Sequence, residues 1–203
     1  MMSVMHFMIG CKTDECVILA SDKFAYSNGF LLSKDDCKNI KLGEKLYMCC
    51  IGEAVDKFSE QTQNHFRLHK IRYEYEMGPL AAHHWIRKFI ADSQRSGNQW
   101  KLDVFLGGYD DKEGKTWLSS IDSNARDNEN NKNYIVRASG GCRGFSEEVA
   151  MSHLYQPKMN REKALEAVKQ CIQESQKNLQ TYLGTFNFVV IDKNGFYQEN
   201  INI

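Results

Sequence analysis

Proline is nearly absent from this sequence, neither charge sign is in excess, and no long apolar run occurs. Each shortage removes a class of protein. Only Pro79 and Pro157 occur in 203 residues, and no Ser/Gly-rich stretch separates segments, so nothing marks a linker or a domain boundary. The chain reads as one domain over residues 1–203, long enough to bury a substantial core. Lysine plus arginine number 26, and aspartate plus glutamate also number 26. A formal charge of zero argues against nucleic acid or an anionic membrane as the main partner, because both need a basic face. No stretch approaches about 18 consecutive apolar residues, so no membrane span is expected. The apolar opening MMSVMHFMIG lacks the basic region and small-residue cleavage pattern of a secretory signal, which predicts an intracellular protein.

Metal-type cysteine spacing is missing as well. The seven cysteines are odd in number and contain no CxxC. A structural zinc site needs two ligand pairs, and only the loose pair Cys11 and Cys16 exists. No metal is expected, and the cysteines read as reduced core thiols. Cys49 and Cys50, inside LYMCCIG, look like small buried hydrophobes.

What is present is a globular composition, 42% hydrophobic and 11% aromatic, with strand and helix signals in alternating groups. Phe7–Gly10 and Cys16–Ser21 are short apolar runs around a polar Lys12–Glu15, a hairpin pattern. Leu46–Ile51 lacks alternation and predicts a strand buried on both faces. Two helices follow, the first marked by Val55, Phe58, Thr62, His65/Phe66 and His69. The second has Pro79 at its start and a stripe of Ala82, Trp85, Ile86, Phe89 and Ile90. The pattern repeats with strands at Val104–Gly108, Thr116–Leu118 and Tyr134–Val136. A second helix pair comes next, its clearer member opening at Asn160. Phe186–Ile191 and Phe196–Tyr197 close the chain around Asn194-Gly195, a hairpin signal. The polar run Asp127–Asn133 reads as an exposed loop. Helices in pairs between hairpin groups do not fit a doubly wound parallel sheet. Two antiparallel sheets face to face with a helix layer outside each, a four-layer αββα sandwich of the α+β class, satisfy the pattern.

Several segments then become specific: Val17–Asp22, Lys38, the run Leu46–Gly52 followed by Glu53–Asp56, and the turn Leu106–Asp110. Together they resemble a proteasome beta-type subunit, over about Met5 to Gly195. The opening Met5–Gly10 and the closing Thr185–Gly195 are most similar to the non-catalytic fourth beta-type position. The resemblance implies the N-terminal nucleophile hydrolase fold, which is the αββα sandwich. Active members expose a threonine by cleavage after glycine, and its hydroxyl attacks a peptide carbonyl while its own α-amino group serves as base. By this resemblance Asp22 matches the family aspartate and Lys38, sixteen residues later, the family lysine. Gly52 matches the oxyanion glycine, and Ser139 a supporting serine. A second supporting aspartate, expected near Leu179 or Gln180, is absent.

The nucleophile position falls on His6, preceded by Met5 where cleavage needs glycine, and five preceding residues make a poor propeptide. The catalytic set is therefore expected to be empty, with Asp22, Lys38, Gly52 and Ser139 as vestiges. The resemblance implies a structural subunit of the 20S core particle, without cofactor, acting in ubiquitin-dependent degradation in cytoplasm and nucleus. Its partners would be the other alpha-type and beta-type subunits of a twenty-eight-subunit stacked-ring particle, with no nucleic acid and no membrane. The helix layer of Val55–Arg72 and Pro79–Arg95 would meet ring neighbours or the facing alpha-type ring. The later pair, from Gly141 to about Gln176, would face the opposite beta-type ring. Tyr73, Tyr75 and Tyr155 are candidate interface anchors. The alternative is an active threonine or cysteine peptidase, with Cys11 exposed after Gly10. That cut would leave Asp22 eleven residues downstream and remove the first strand. His83 and His84, adjacent on a helix, point about 100° apart and cannot chelate one metal together.

Overall fold

The computed structural model describes residues 6–27, 30–128, 132–138, 145–156, 158–179 and 184–203. Along the chain run β1 (Phe7–Lys12), β2 (Cys16–Asp22), β3 (Ala25–Ser27), β4 (Phe30–Ser33), β5 (Asn39–Gly43) and β6 (Leu46–Gly52). The helices α1 (Val55–Tyr73) and α2 (Pro79–Arg95) follow, then β7 (Leu102–Asp110), β8 (Lys115–Ile121), β9 (Asp127–Asn128) and β10 (Tyr134–Ala138). The last elements are α3 (Phe145–Leu154), α4 (Arg161–Leu179), β11 (Thr185–Asp192) and β12 (Gly195–Asn202). One five-stranded antiparallel sheet has the order β10-β1-β2-β11-β12 and a second β5-β6-β7-β8-β9, while β3 and β4 pair in a separate two-stranded sheet.

Strand parity assigns side chains to layers, because successive residues point to opposite faces of a sheet. From β1, β2 and β11, the residues Phe7, Ile9, Ile18, Ala20, Phe186 and Phe188 pack under α3 and α4, against Val168 and Ile172. From β6 and β7, Met48, Cys50, Val104 and Leu106 pack under α1 and α2, against Phe58, Ile86 and Ile90. The alternate residues Met8, Val17, Leu19, Tyr47, Cys49, Phe105 and Val189 meet between the sheets. This is the four-layer αββα sandwich, and it explains the unalternating runs: β2 is buried at every position. Adjacent cysteines therefore serve different layers, Cys49 between sheets and Cys50 beneath the helices. Glycine lets the sheets close. A Cβ on Gly107 would sit 3.0 Å from Leu19 and Val17, and one on Gly10 would sit 2.8 Å from Leu118.

The local signals place the helices as expected. Pro79 opens α2, where its missing N–H costs nothing. Asn160 Oδ1 accepts the Lys163 N–H at 3.0 Å, capping α4. The closing hairpin turns through Lys193 and Asn194, with Asp192 paired to Gly195. No helix among the described residues is long and apolar enough to cross a membrane.

The structure differs from the sequence reading in four places. Residues 25–43 hold three short strands that the local signals did not mark; β5 lies at a sheet edge, with its central Lys41 exposed. Asp127 does not lie in a solvated loop, since β9 pairs with β8 and its carboxylate is only 22% exposed. Tyr155 is half-buried, its ring 5.6 Å from Tyr134 and its hydroxyl donating to the Lys12 carbonyl, so it is no exposed anchor. Cys37 is an exposed thiol, whereas Cys11, Cys16, Cys49, Cys50 and Cys171 are buried thiols outside any disulfide. Cys142 and Pro157 lie outside the described residues.

The inter-sheet contact makes a double-mutant prediction. Gly107→Ala should destabilise the chain by about 1–3 kcal/mol through overpacking against Leu19. In a Leu19→Ala background the added methyl meets vacated space, so the two effects should couple by about 0.5–3 kcal/mol. Denaturant unfolding of the four proteins measures the coupling, and strict additivity would contradict the close approach.

Candidate functional site

Asp22 ends β2 in one sheet, and Lys38 immediately precedes β5 in the other. Asp22 is fully buried and Lys38 is 5% exposed, so neither charge is solvated by bulk water. Lys38 Nζ donates to Asp22 Oδ2 at 2.7 Å, to the Asp22 carbonyl at 2.7 Å and to the Phe24 carbonyl at 2.8 Å. An ammonium has three N–H groups, and all three are committed. The carboxylate is equally engaged. Its Oδ1 accepts the Phe7 N–H at 2.7 Å, and its Oδ2 accepts the Phe24 N–H at 3.2 Å.

His6 completes the cluster, its Nδ1 lying 3.4 Å from Asp22 Oδ2. An ionised carboxylate only accepts, so the imidazole carries a proton on Nδ1. Burial pushes the Asp22 carboxyl upward. The His6 hydrogen bond and the Lys38 ammonium outweigh that and hold it below the usual carboxylate range.

A cleft of about 430 Å³ opens beside His6 and is lined in part by Cys37, Lys38, Cys50, Gly52 and Ser59. Gly52 has φ of 141°, a region that favours glycine. A Cβ there would collide with the Lys101 carbonyl and lie 2.5 Å from Leu102 Cα, across the β6–β7 pair. Packing alone therefore demands glycine at this position. Ala54, at φ 56°, then turns the chain into α1 without a side-chain cap.

His6, Lys38 and Gly52 thus line one cleft, and Asp22 lies buried against Lys38 and His6. Ser139 lies outside the described residues, as does Gln180. The imidazole of His6 has neither hydroxyl nor thiol, so no ester or thioester can form at that position. Cys11 does not replace it. Its thiol is fully buried in β1, which pairs with β2 on one side and β10 on the other. Burial, with Cys16 and Cys171 adding to it, pushes that thiol up to about 12, far from a reactive thiolate. Among the described residues no group of three or more His, Cys, Asp or Glu side chains is placed to hold a metal ion.

Two polar networks carry no clear sequence signal. Beside Lys38, Asn39 Nδ2 donates to the Asn187 carbonyl at 3.0 Å and to Asn187 Oδ1 at 2.8 Å, while Asn187 Nδ2 donates to Asn200 Oδ1 at 2.8 Å. These amides bridge β5 of one sheet to β11 and β12 of the other. A lone asparagine in the apolar run FNFVVI was the only available hint.

The second network surrounds His83. Its Nδ1 lies 2.9 Å from Ser119 Oγ and its Nε2 3.0 Å from Asp127 Oδ2, while Trp117 Nε1 donates to Ser119 Oγ at 3.0 Å. The distances are those of a Ser-His-Asp triad. Ser119 and His83 are fully buried, however, so no substrate reaches the hydroxyl. The set fastens α2 to β8 and β9. His84 is exposed, so the two neighbouring histidines face different surroundings.

Replacing Lys38 with Met leaves the Asp22 carboxylate buried without its countercharge and should cost about 3–5 kcal/mol near neutral pH. The lowered Asp22 group contributes stability that is complete above the ordinary carboxylate range and is lost as pH falls through its lowered value. The gap between Lys38→Met and wild type should therefore narrow in acid. Urea unfolding from neutral to acid pH checks this, and a gap that stays constant or is absent would contradict it.

The family described as Proteasome subunit matches residues 7–191 of this chain. The proteasome subunit beta type-2 of Caenorhabditis elegans is 36% identical over 195 residues, covering 95% of this chain and 96% of that protein. The proteasome subunit beta type-4 of Saccharomyces cerevisiae is 32% identical over 197 residues, covering 96% of each. The proteasome subunit beta type-2 of Oryza sativa subsp. japonica is 27% identical over 193 residues, covering 94% of this chain and 88% of that protein. With the αββα sandwich and the clustered His6, Asp22, Lys38 and Gly52, these matches show that the chain belongs to the proteasome subunit family, as a beta-type member.

Proposed function

We propose that this chain is a catalytically silent structural subunit of the 20S core particle. It occupies the fourth beta-type position in each of two beta-type rings stacked between two alpha-type rings. The twenty-eight-subunit assembly encloses the chamber where proteins are degraded in a ubiquitin-dependent manner, in cytoplasm and nucleus. The observation that carries this reading is the imidazole of His6 in the nucleophile's place. With Met5 bonded ahead of it, the His6 nitrogen is an amide and offers no free amine base. Lys38 is equally occupied: its three donors serve Asp22 and the Phe24 carbonyl.

The contribution of such a subunit is surface. Exposed apolar side chains gather on α1 and the chain after it: Leu68 at 50%, Ile71 at 75%, Tyr73 at 60% and Tyr75 at 57% exposure. A face of this kind is costly to leave in water and supports burial against a neighbouring subunit. The active-peptidase alternative finds no support at Cys11, which is buried, nor at His6.

Treatment of the assembled particle with an electrophilic peptide probe that captures N-terminal hydroxyls tests the reading. Other subunits should be labelled and this chain left unmodified, with an intact mass that retains Met1 or Met2 as its first residue. Probe attached to any residue of this chain, or a mature chain starting at Ser, Thr or Cys, would reverse the conclusion.

A further inference from the structure

We infer that the outer face of α2 docks an acidic segment of a neighbouring subunit. The inference rests on the reading of the chain as a ring component. His84, Arg87, Lys88, Ala91 and Arg95 recur at helical spacing and lie along one face of α2. At 1.5 Å per residue the strip is about 16 Å long. With Asn124 and Ala125 of the β8–β9 turn it lines a cleft of about 430 Å³. Ala91 keeps the middle of the strip low.

Cations outnumber carboxylates here. Asp92 is the one acidic residue of this lining, against Arg87, Lys88 and Arg95, in a protein that is neutral as a whole. Asp92 pairs with Arg95 at 3.1 Å. Arg87 donates to the Ala125 carbonyl at 3.2 Å and lies 3.5 Å from Asp127. Lys88 is exposed and makes no ion pair among the described residues.

A carboxylate-bearing protein segment fits this arrangement better than a nucleic acid. The strip is short, and Asp122 and Asp127 flank it and repel a continuous line of phosphates. A protein segment can place two or three carboxylates over Lys88 and Arg95 and leave the flanks alone.

The test uses the intact particle. Lysine acetylation read by mass spectrometry should find Lys88 protected in the particle and modified in chain released by dissociation, with protection unchanged by nuclease. In parallel, Lys88→Glu and the double variant Lys88→Glu/Arg95→Glu are expressed beside a differently tagged wild type. The double variant should enter particles roughly tenfold less than wild type and the single variant less severely. Wild-type chain in the particle with Lys88 freely acetylated, and variants incorporated equally, would overturn the docking strip and leave the subunit reading standing. Protection abolished by nuclease would overturn it in favour of a nucleic acid. Wild-type chain recovered outside any particle would overturn both.

Discussion

Burying the Lys38 and Asp22 charges together constrains much of what surrounds them. Each ion loses several kcal/mol of hydration on leaving water, so the pair is tolerated only where every donor and acceptor finds a partner. That requirement dictates the neighbourhood. The Asp22 and Phe24 carbonyls must turn toward Nζ, and the Phe7 and Phe24 amides must turn toward the carboxylate. The chain at the end of β2 is thereby held against the residue before β5, and the two sheets are joined at one corner. The Asn39–Asn187–Asn200 amides extend the same corner along the strands.

Elsewhere the sheets meet by apolar packing, and the contact is set by side-chain size. Leu19 projects toward Gly107, and Leu118 toward Gly10, so bulky residues of one sheet face glycines of the other. Strand parity does the rest. A residue's odd or even position in its strand decides whether it packs between sheets or under a helix pair. The Cys49–Cys50 pair illustrates the rule, as neighbours in sequence that never share a layer.

The residues around His6 are held in place by contacts that require no reaction. Asp22 and Lys38 satisfy one another and four backbone groups; Gly52 is required by the Lys101 and Leu102 backbone. These three positions carry structural duties independent of any reaction. His6 adds a ring nitrogen near the Asp22 carboxylate. Removal of the aspartate or lysine would strand a buried charge.

Much of this was written locally in the chain. The hairpins, the helix stripes, Pro79, Asn160 and the unalternating runs all depend on contacts within a few residues, and they sufficed for the layer order. That His6, Asp22, Lys38 and Gly52 belong to one neighbourhood was also legible, because the resemblance singled them out and their spacing could be counted. The strands at 25–43 were not legible, since at 3, 4 and 5 residues each is too short to show a period. Nor was the pairing of Asp127 with His83, or the bridging by Asn39 and Asn187. Those polar residues look like solvated loop or odd core positions until a partner more than 40 residues away arrives. Apolar periodicity is a property of one segment and survives in the linear chain. Polar satisfaction is a property of pairs, and only the folded arrangement decides which donor meets which acceptor.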